Sequence, residues 1–240
     1  MIVLKLGGSV VTEKDSPETV DGTALERAAA ALADHDDLVL VHGGGSFGHP
    51  AAERHGVSSE DGTTDAGAVR AVHAAMGRLN AAVLDALGGA GVPAVPVRPL
   101  STGRKDAGGD LHLDVGAVRA LREEGFVPVL HGDVVAHAGS GASVASGDAL
   151  VVALAAALDA DRVGVCSTVP GVLDADGEVV PEVTDPATLD ALGGSESTDV
   201  TGGMTAKVAA LADLETPAHI FGLDDLAPFL DGERVGTVVR

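Results

Sequence analysis

Residues His42 to His49 read HGGGSFGH, and no other stretch of the chain packs as much potential chemistry into so few positions. Three consecutive glycines after an apolar run expose successive backbone N–H groups, which at a helix N-terminus form an anion site. Two other patterns overlap the same residues. Gly43-x-Gly45-x-x-Gly48 matches the dinucleotide fingerprint, but the region that should then hold a strand ending in an acid reads VSSEDGTTD, which is turn-like. Gly44-x-Ser46-x-Gly48 and HGGG mimic a hydrolase nucleophile and its oxyanion loop. In a hydrolase those are separate loops facing each other, and one loop cannot oppose itself. The anion site remains, and Gly7-Gly8-Ser9 and Thr201-Gly202-Gly203 repeat it elsewhere in the chain. Three such ends predict a polyphosphate held from several directions. The lack of a G-x-x-x-x-G-K-[ST] run excludes a P-loop.

The chain has four lysines against eleven arginines, so each lysine is a candidate for work that a guanidinium cannot do. Lys5 immediately precedes the first glycine loop, Lys14 follows it, and Lys207 lies one turn into the helix expected after Gly203. An ammonium in such a place can follow phosphoryl oxygens as charge develops on them. Lys105, beside Arg104 in a glycine-rich stretch, reads as a surface residue. His35, His55, His73, His112, His137 and His219 lack the spacing of metal ligands and read as structural or surface groups. His42 and His131 end apolar runs and read as loop braces. Val72, Met76, Leu79 and Val83 fall at helical spacing, which predicts a core face; the functional alternative is an apolar pocket wall.

These residues need elements to position them. IVLKL (2–6) and LVLVH (38–42) read as strands, with a helix between them capped by Asp21 and running to about His35. Further helices are expected at 65–88, 114–124, 147–159, 203–214 and 224–230, and further strands at 94–97, 127–131, 162–166, 218–221 and 235–239. Apolar strands alternating with helices predict a largely parallel sheet covered on both faces. The stretches 101–110 and 174–183 read as hairpins or surface loops.

Composition removes whole classes of function. With 15 Lys+Arg against 36 Asp+Glu, a net charge of −21 and a pI of about 4.5, the chain has no basic footprint for nucleic acid. An apolar content of 45% and a mean hydropathy of +0.27 exclude disorder. Asp outnumbers Glu 24 to 12, and the four aromatics are all Phe, a texture expected of a protein working in molar salt. A single cysteine, Cys166, excludes an internal disulfide and a cysteine zinc cluster. The N-terminal apolar stretch is broken by Lys5, and the run Ala149 to Leu158 is about half a membrane span, so a soluble cytoplasmic protein is expected. Residues 1–120 carry 10 basic and 16 acidic groups (net −6) and residues 121–240 carry 5 and 20 (net −15). No linker separates the halves, which predicts two lobes sharing one sheet.

KLGGS with Lys14, HGGGSFGH, SGD at Ser146 to Asp148, and DVTGGMTAK from Asp199 to Lys207 together resemble the amino acid kinase family over nearly the whole chain. Within it they resemble the archaeal-type isopentenyl phosphate kinases, a branch set apart by the final histidine of HGGGSFGH. Kinases related to fosfomycin resistance share that histidine and are the nearest alternative; a non-catalytic nucleotide or oxyanion binder on the same fold is another. The resemblance implies a three-layer αβα sandwich with a mainly parallel central sheet, forming one continuous domain. Residues 1–140 would bind the acceptor phosphate and make dimer contacts, and residues 141–240 would bind ATP. The implied reaction is phosphorylation of isopentenyl phosphate by ATP, a step of isoprenoid biosynthesis by an alternative mevalonate route.

The roles carried over are specific. Lys5, Leu6, Gly7, Gly8, Ser9, Gly45, Thr168, Leu173, Gly203 and Lys207 would hold ATP, with Lys14 on the transferring phosphoryl group. Gly44, His49 and Gly147 would hold the acceptor phosphate, and Asp148 would orient Lys5 and Lys207 through ion pairs. Mg²⁺ would be carried by phosphates and water with no protein ligand, and the family resemblance implies a homodimer. One segment departs from the family pattern. Thr168, Pro170 and Leu173 stand where relatives carry two acids and an aromatic, so a looser nucleotide preference is expected.

Overall fold

A computed structural model describes residues 1–185 and 203–240, and in it strand and helix alternate from the start. Strand β1 (Ile2–Leu6) leads into a one-turn helix α1 (Gly8–Val11), then α2 (Gly22–Leu32), β2 (Leu38–His42), α3 (Gly45–Arg54), α4 (Ala66–Gly89) and β3 (Ala94–Pro96). A short α5 (Pro99–Thr102) precedes β4 (Gly103–Lys105), β5 (Leu111–Leu113), α6 (Gly116–Glu123), β6 (Val127–His131), β7 (Asp133–His137) and β8 (Gly141–Ala145). The chain continues through α7 (Gly147–Leu158), β9 (Arg162–Ser167), β10 (Glu182–Val183), α8 (Gly203–Ala212), β11 (Ala218–Gly222), α9 (Leu226–Leu230) and β12 (Thr237–Val239). Thr201, Gly202 and the start of the Asp199 motif lie outside the described residues.

Among the described residues the main sheet has the order β10-β12-β11-β9-β1-β2-β6-β3. It is parallel from β11 to β3, while β12 runs antiparallel to β11. Strand period sorts the core into two faces. Leu4, Leu6, Leu38, Leu40, Val127 and Val129 pack with Leu25 and Leu32 of α2 and Leu79, Val83 and Leu87 of α4. Val3, Val39, Val41, Leu130, Val163 and Val165 pack on the other side with Val118 of α6, Leu150 and Leu154 of α7, and Val208 and Leu211 of α8. The result is the expected three-layer sandwich, with strands apolar on both faces because both are covered.

The helix starts follow local chemistry. Asp21 caps α2 by accepting from Ala24 N at 2.9 Å, and Ser146 Oγ caps α7 by accepting from Ala149 N at 3.1 Å. Among the described residues no helix is long and apolar enough to cross a membrane.

A second, four-stranded sheet, β5-β4-β7-β8, was not expected as such. Its β7–β8 hairpin, DVVAH and GASVA, mixes Val, Ala, Ser and Gly and buries Asp133, His137 and Ser143 beside Val134 and Val135, so it lacks the apolar alternation that marks a strand. Within this sheet lies a correction. Lys105, expected on the surface, is only 7% exposed. The glycine-rich composition around it belongs to the β4–β5 turn, and the lysine itself faces inward.

Candidate active site

The parallel strands β1, β2, β6 and β9 end together, and a cleft of about 420 Å³ opens at that carboxyl edge. Ligands of open α/β sheets gather at such an edge because the loops there are free of the ladder and helix N-termini converge on it. The cleft brings together Lys5, Gly7, Gly8, Ser9, Gly44, His49, Gly147, Asp148, Thr168 and Lys207. Leu6, Lys14, Gly45, Leu173 and Gly203 do not line it. Leu6 has its side chain fully buried in the core, and its carbonyl accepts from Gly43 N at 2.9 Å. Lys14 is exposed on the excursion between α1 and α2, whose base is bridged from Thr12 to Val20.

Much of the glycine in the two loops serves contact between them. A Cβ on Gly8 would stand 2.2 Å from Gly45 N, and one on Gly43 would stand 2.5 Å from Gly8 N. Gly45 has φ +46, and a Cβ there would fall 2.1 Å from Thr12 Oγ1. The loops therefore stack backbone on backbone, and three glycines in HGGGS need not all face an anion. Gly43 and Gly44 line the cleft, and Gly44 lies against His49, whose Cδ2 would be 3.3 Å from an added Cβ. Gly147 leaves room for the Lys5 stem, whose Cε would lie 3.0 Å from a Cβ.

Lys5, 6% exposed near the end of β1, donates from Nζ to Asp148 Oδ1 at 2.7 Å in the first turn of α7. The pair fixes an ammonium at the basic end of the cleft. Its far wall is apolar: Ala52 and Val57, Val72 and Met76 from α4, and Val144 from β8. Of the four residues at helical spacing, Val72 and Met76 thus reach the cleft, whereas Leu79 and Val83 stay in the core. Gly48 is small because Met76 Sδ would lie 2.5 Å from its Cβ. Glu53, Asp61 and Asp133 add acids to the lining.

Beneath the cleft lies a polar layer that only partly showed in the sequence. His42 and His131, ending neighbouring strands, are fully buried with ring centroids 5.4 Å apart. His131 bonds the Gly132 carbonyl through Nδ1 (3.0 Å) and accepts from Arg98 Nη1 through Nε2 (3.3 Å), the pattern of a neutral ring. Burial, then the neighbouring His42, holds its pKa down to about 3. Burial likewise lowers His42, which bonds the Gly43 carbonyl and the Asn80 side chain. Asp133, with its side chain fully buried, accepts from Val134 N at 2.8 Å and pairs with His73 Nδ1 at 2.7 Å. Burial raises the Asp133 pKa against the opposing pull of His73. These groups brace the strand ends, as expected of His42 and His131. Asp133, Asn80 and Arg98 were missed, although His131-Gly132-Asp133 repeats the His-Gly ending of the second strand and could have flagged the first of them.

Among the described residues no group of three His, Cys, Asp or Glu side chains could hold a metal ion. The cleft sets glycine-rich loops, Lys5, Lys207 and His49 beside the carboxylates of Glu53, Asp61, Asp133 and Asp148; the lysines, the histidine and the loop backbone are the groups suited to binding phosphates.

Comparison with known proteins gives the same picture over the whole length. The model of the amino acid kinase family matches residues 1–221. The isopentenyl phosphate kinase of Haloferax volcanii is 62% identical, the match covering 100% of this chain and 98% of that one. A solved isopentenyl phosphate kinase superposes with a TM-score of 0.85 at 31% identity, covering 99% of this chain and 98% of the other. A substrate complex of an isopentenyl phosphate kinase superposes with a TM-score of 0.78 at 25% identity over 100% of both chains. The family model, the identity to curated relatives and the superposition over the full length agree, and the chain belongs to the amino acid kinase family.

Proposed function

We propose that this chain is a phosphotransferase that moves the γ-phosphoryl group of ATP onto isopentenyl phosphate, releasing ADP and isopentenyl diphosphate. The observation that carries the proposal is that one cleft combines two kinds of lining. Lys5, Lys207, Gly44 and His49 line it together with Val57, Val72 and Met76. A short hydrocarbon bearing a phosphate fits that combination, with the phosphate toward the lysines.

The chemistry asked of the residues is modest. An acceptor phosphate is already anionic at neutral pH, so no general base is needed; alignment and charge cancellation are. Asp148 holds the Lys5 ammonium in place before the substrates arrive, so little reorganisation is required as charge shifts. In this proposal Asp148 also orients Lys207, and Lys14 reaches the moving phosphoryl group from its exposed loop, a role that rests on the family resemblance. Gly7, Gly8, Ser9 and Thr168, which line the cleft, offer groups to ATP; a part for Leu6, Gly45, Leu173 and Gly203, which do not line it, rests on the family resemblance alone. Gly44, His49 and Gly147 take the acceptor phosphate. Mg²⁺ arrives as part of the MgATP substrate. Residues 1–140 serve the acceptor and dimer contacts, and residues 141–240 serve ATP. We further propose a cytoplasmic homodimer adapted to high salt.

A coupled ADP-release assay in molar KCl, run with isopentenyl phosphate, dimethylallyl phosphate, fosfomycin, UMP and acetylglutamate, tests the proposal. Preferred turnover of the isoprenoid phosphates is expected. Turnover of fosfomycin alone would move the chain to the antibiotic-kinase branch, and ATP binding without turnover of any acceptor would make it a binder.

A further inference from the structure

Lys105 is the one lysine with no place in the phosphate-binding scheme, yet it is the most unusual in its surroundings. It sits at the end of β4, 7% exposed, and its ammonium donates to the carbonyls of Ser59 (2.8 Å) and Val144 (2.9 Å). Burial alone pushes its pKa down, with no acid raising it. In a chain with 36 acidic residues, a buried cation satisfied by two main-chain carbonyls is a specific arrangement.

Those two carbonyls belong to segments that face the cleft. Val57, Ser58, Ser59 and Asp61 form one stretch of its lining, in which Val57 joins Val144, Val72 and Met76 on the apolar side. The wall is laid along β8: Val144 N donates to Ser58 O at 2.8 Å, and Thr63 and Ala142 exchange bonds at 2.8 and 2.9 Å. Close backbone contact tightens the join, since a Cβ on Gly141 would fall 2.3 Å from Thr63 O. Between these two anchors the turn at Ser59 and Glu60 has only local bonds to Ser58 Oγ, apart from the one that Lys105 makes from the second sheet. A compact ammonium on a straight stem reaches both carbonyls at once, whereas a planar guanidinium presents its donors in a fixed fork of different geometry.

We propose that Lys105 is a positioning residue for the acceptor, fixing the 57–61 wall against β8 so that the apolar end of the cleft keeps its shape. This rests on assigning that end to the acceptor tail. Lys105→Met keeps the stem and removes the donor, so that the Ser59 and Val144 carbonyls lose the cation they share. The expected result is a rise of about fivefold or more in KM for isopentenyl phosphate, with KM for ATP within about twofold of wild type. Amide exchange should also quicken at 57–61 and at Val144, and not in β1, β2 or α7. Lys105→Arg, which retains the charge, should show the same split to a smaller degree and serves if the Met variant does not fold. Unchanged exchange at 57–61, or an equal change in both KM values, overturns the proposal. If the wild type does not turn over isopentenyl phosphate at all, the acceptor assignment fails separately. The tether is then judged by exchange, where unchanged protection rejects it and local loosening upholds it.

Discussion

His49 and His42 stand seven residues apart and answer opposite demands. His49 lines the cleft on α3, where an imidazole can donate to an anionic phosphate; His42 is sealed beneath it between Gly43 O and Asn80. His49→Ala should therefore lower kcat/KM for isopentenyl phosphate about 10- to 100-fold, the size of one lost charge-assisted hydrogen bond, with melting temperature unchanged. His42→Ala should do the reverse, cutting stability by roughly 2 kcal/mol through a cavity and an unpaired Asn80, while KM for the acceptor holds. Steady-state kinetics beside thermal melts check both, and equal tolerance at the two positions would remove His49 from the acceptor site. At this scale the sequence was legible where scarcity spoke: few lysines drew attention to Lys5 and Lys207, which the fold brings to one cleft. Lys105 was illegible because its partners are carbonyls, which every residue has, contributed by Ser59 and Val144, which are distant in sequence.

At the scale of elements, the two glycine loops behave as one unit joined by backbone contact. Gly8→Ala pushes a methyl carbon to 2.2 Å from Gly45 N, where no flexible side chain can yield. It should destabilise the fold by more than about 2 kcal/mol and disturb both substrates, whereas Gly22→Ala, with nothing within 4 Å at the start of α2, should be stabilising by about 0.5 kcal/mol. Chemical denaturation of the two variants checks the contrast, and a tolerated Gly8→Ala would show that the loops can part. The paired strand ends make a second prediction. His131 has a folded-state pKa of about 3 against an ordinary 6.5, so between those values the native protein binds fewer protons than the unfolded chain. Its share of stability is whole above pH 6.5 and is lost as pH falls toward 3, on the order of 5 kcal/mol in all. Asp133, raised by burial, works in the opposite sense from 3.8 upward. His131→Asn should flatten the acid limb of stability against pH relative to wild type; an unaltered limb would mean that His131 is not the group responsible. The alternation of strands and helices could be read from sequence because burial on both faces leaves long apolar runs. The β7–β8 hairpin could not, because its inward residues include Asp133, satisfied by His73 and Val134 N, and His137 and Ser143, which bond each other across the two strands.

For the whole molecule the problem is a net charge of −21 on a protein proposed to bind two polyanions, with −15 of it in residues 121–240, which contain the segment assigned to ATP. Surface pairing does little to relieve it. Arg27–Asp224, Arg78–Glu18 and Arg234–Glu182 involve well-exposed arginines, and such pairs contribute about 0–1 kcal/mol each, less in concentrated salt. Attraction must then be local, from Lys5, Lys207 and backbone N–H groups within a few ångströms, while repulsion from the remaining acids acts at longer range. Salt separates the two: the Debye length shrinks from about 10 Å at 0.1 M to about 3 Å at 1 M, silencing distant acids while contact interactions in the cleft survive. Lowering KCl from 2 M to 0.1 M should therefore cut the melting temperature by about 10 °C or more and raise KM for ATP above KM for isopentenyl phosphate in proportion. The two effects can be told apart by adding an uncharged osmolyte such as trimethylamine oxide at 0.1 M KCl, which strengthens burial without screening charge. Stability and kcat should recover, and the elevated KM for ATP should persist. If KM for ATP recovers as well, low salt acts through unfolding alone; if neither quantity moves between 2 M and 0.1 M, the acidity is not a salt adaptation.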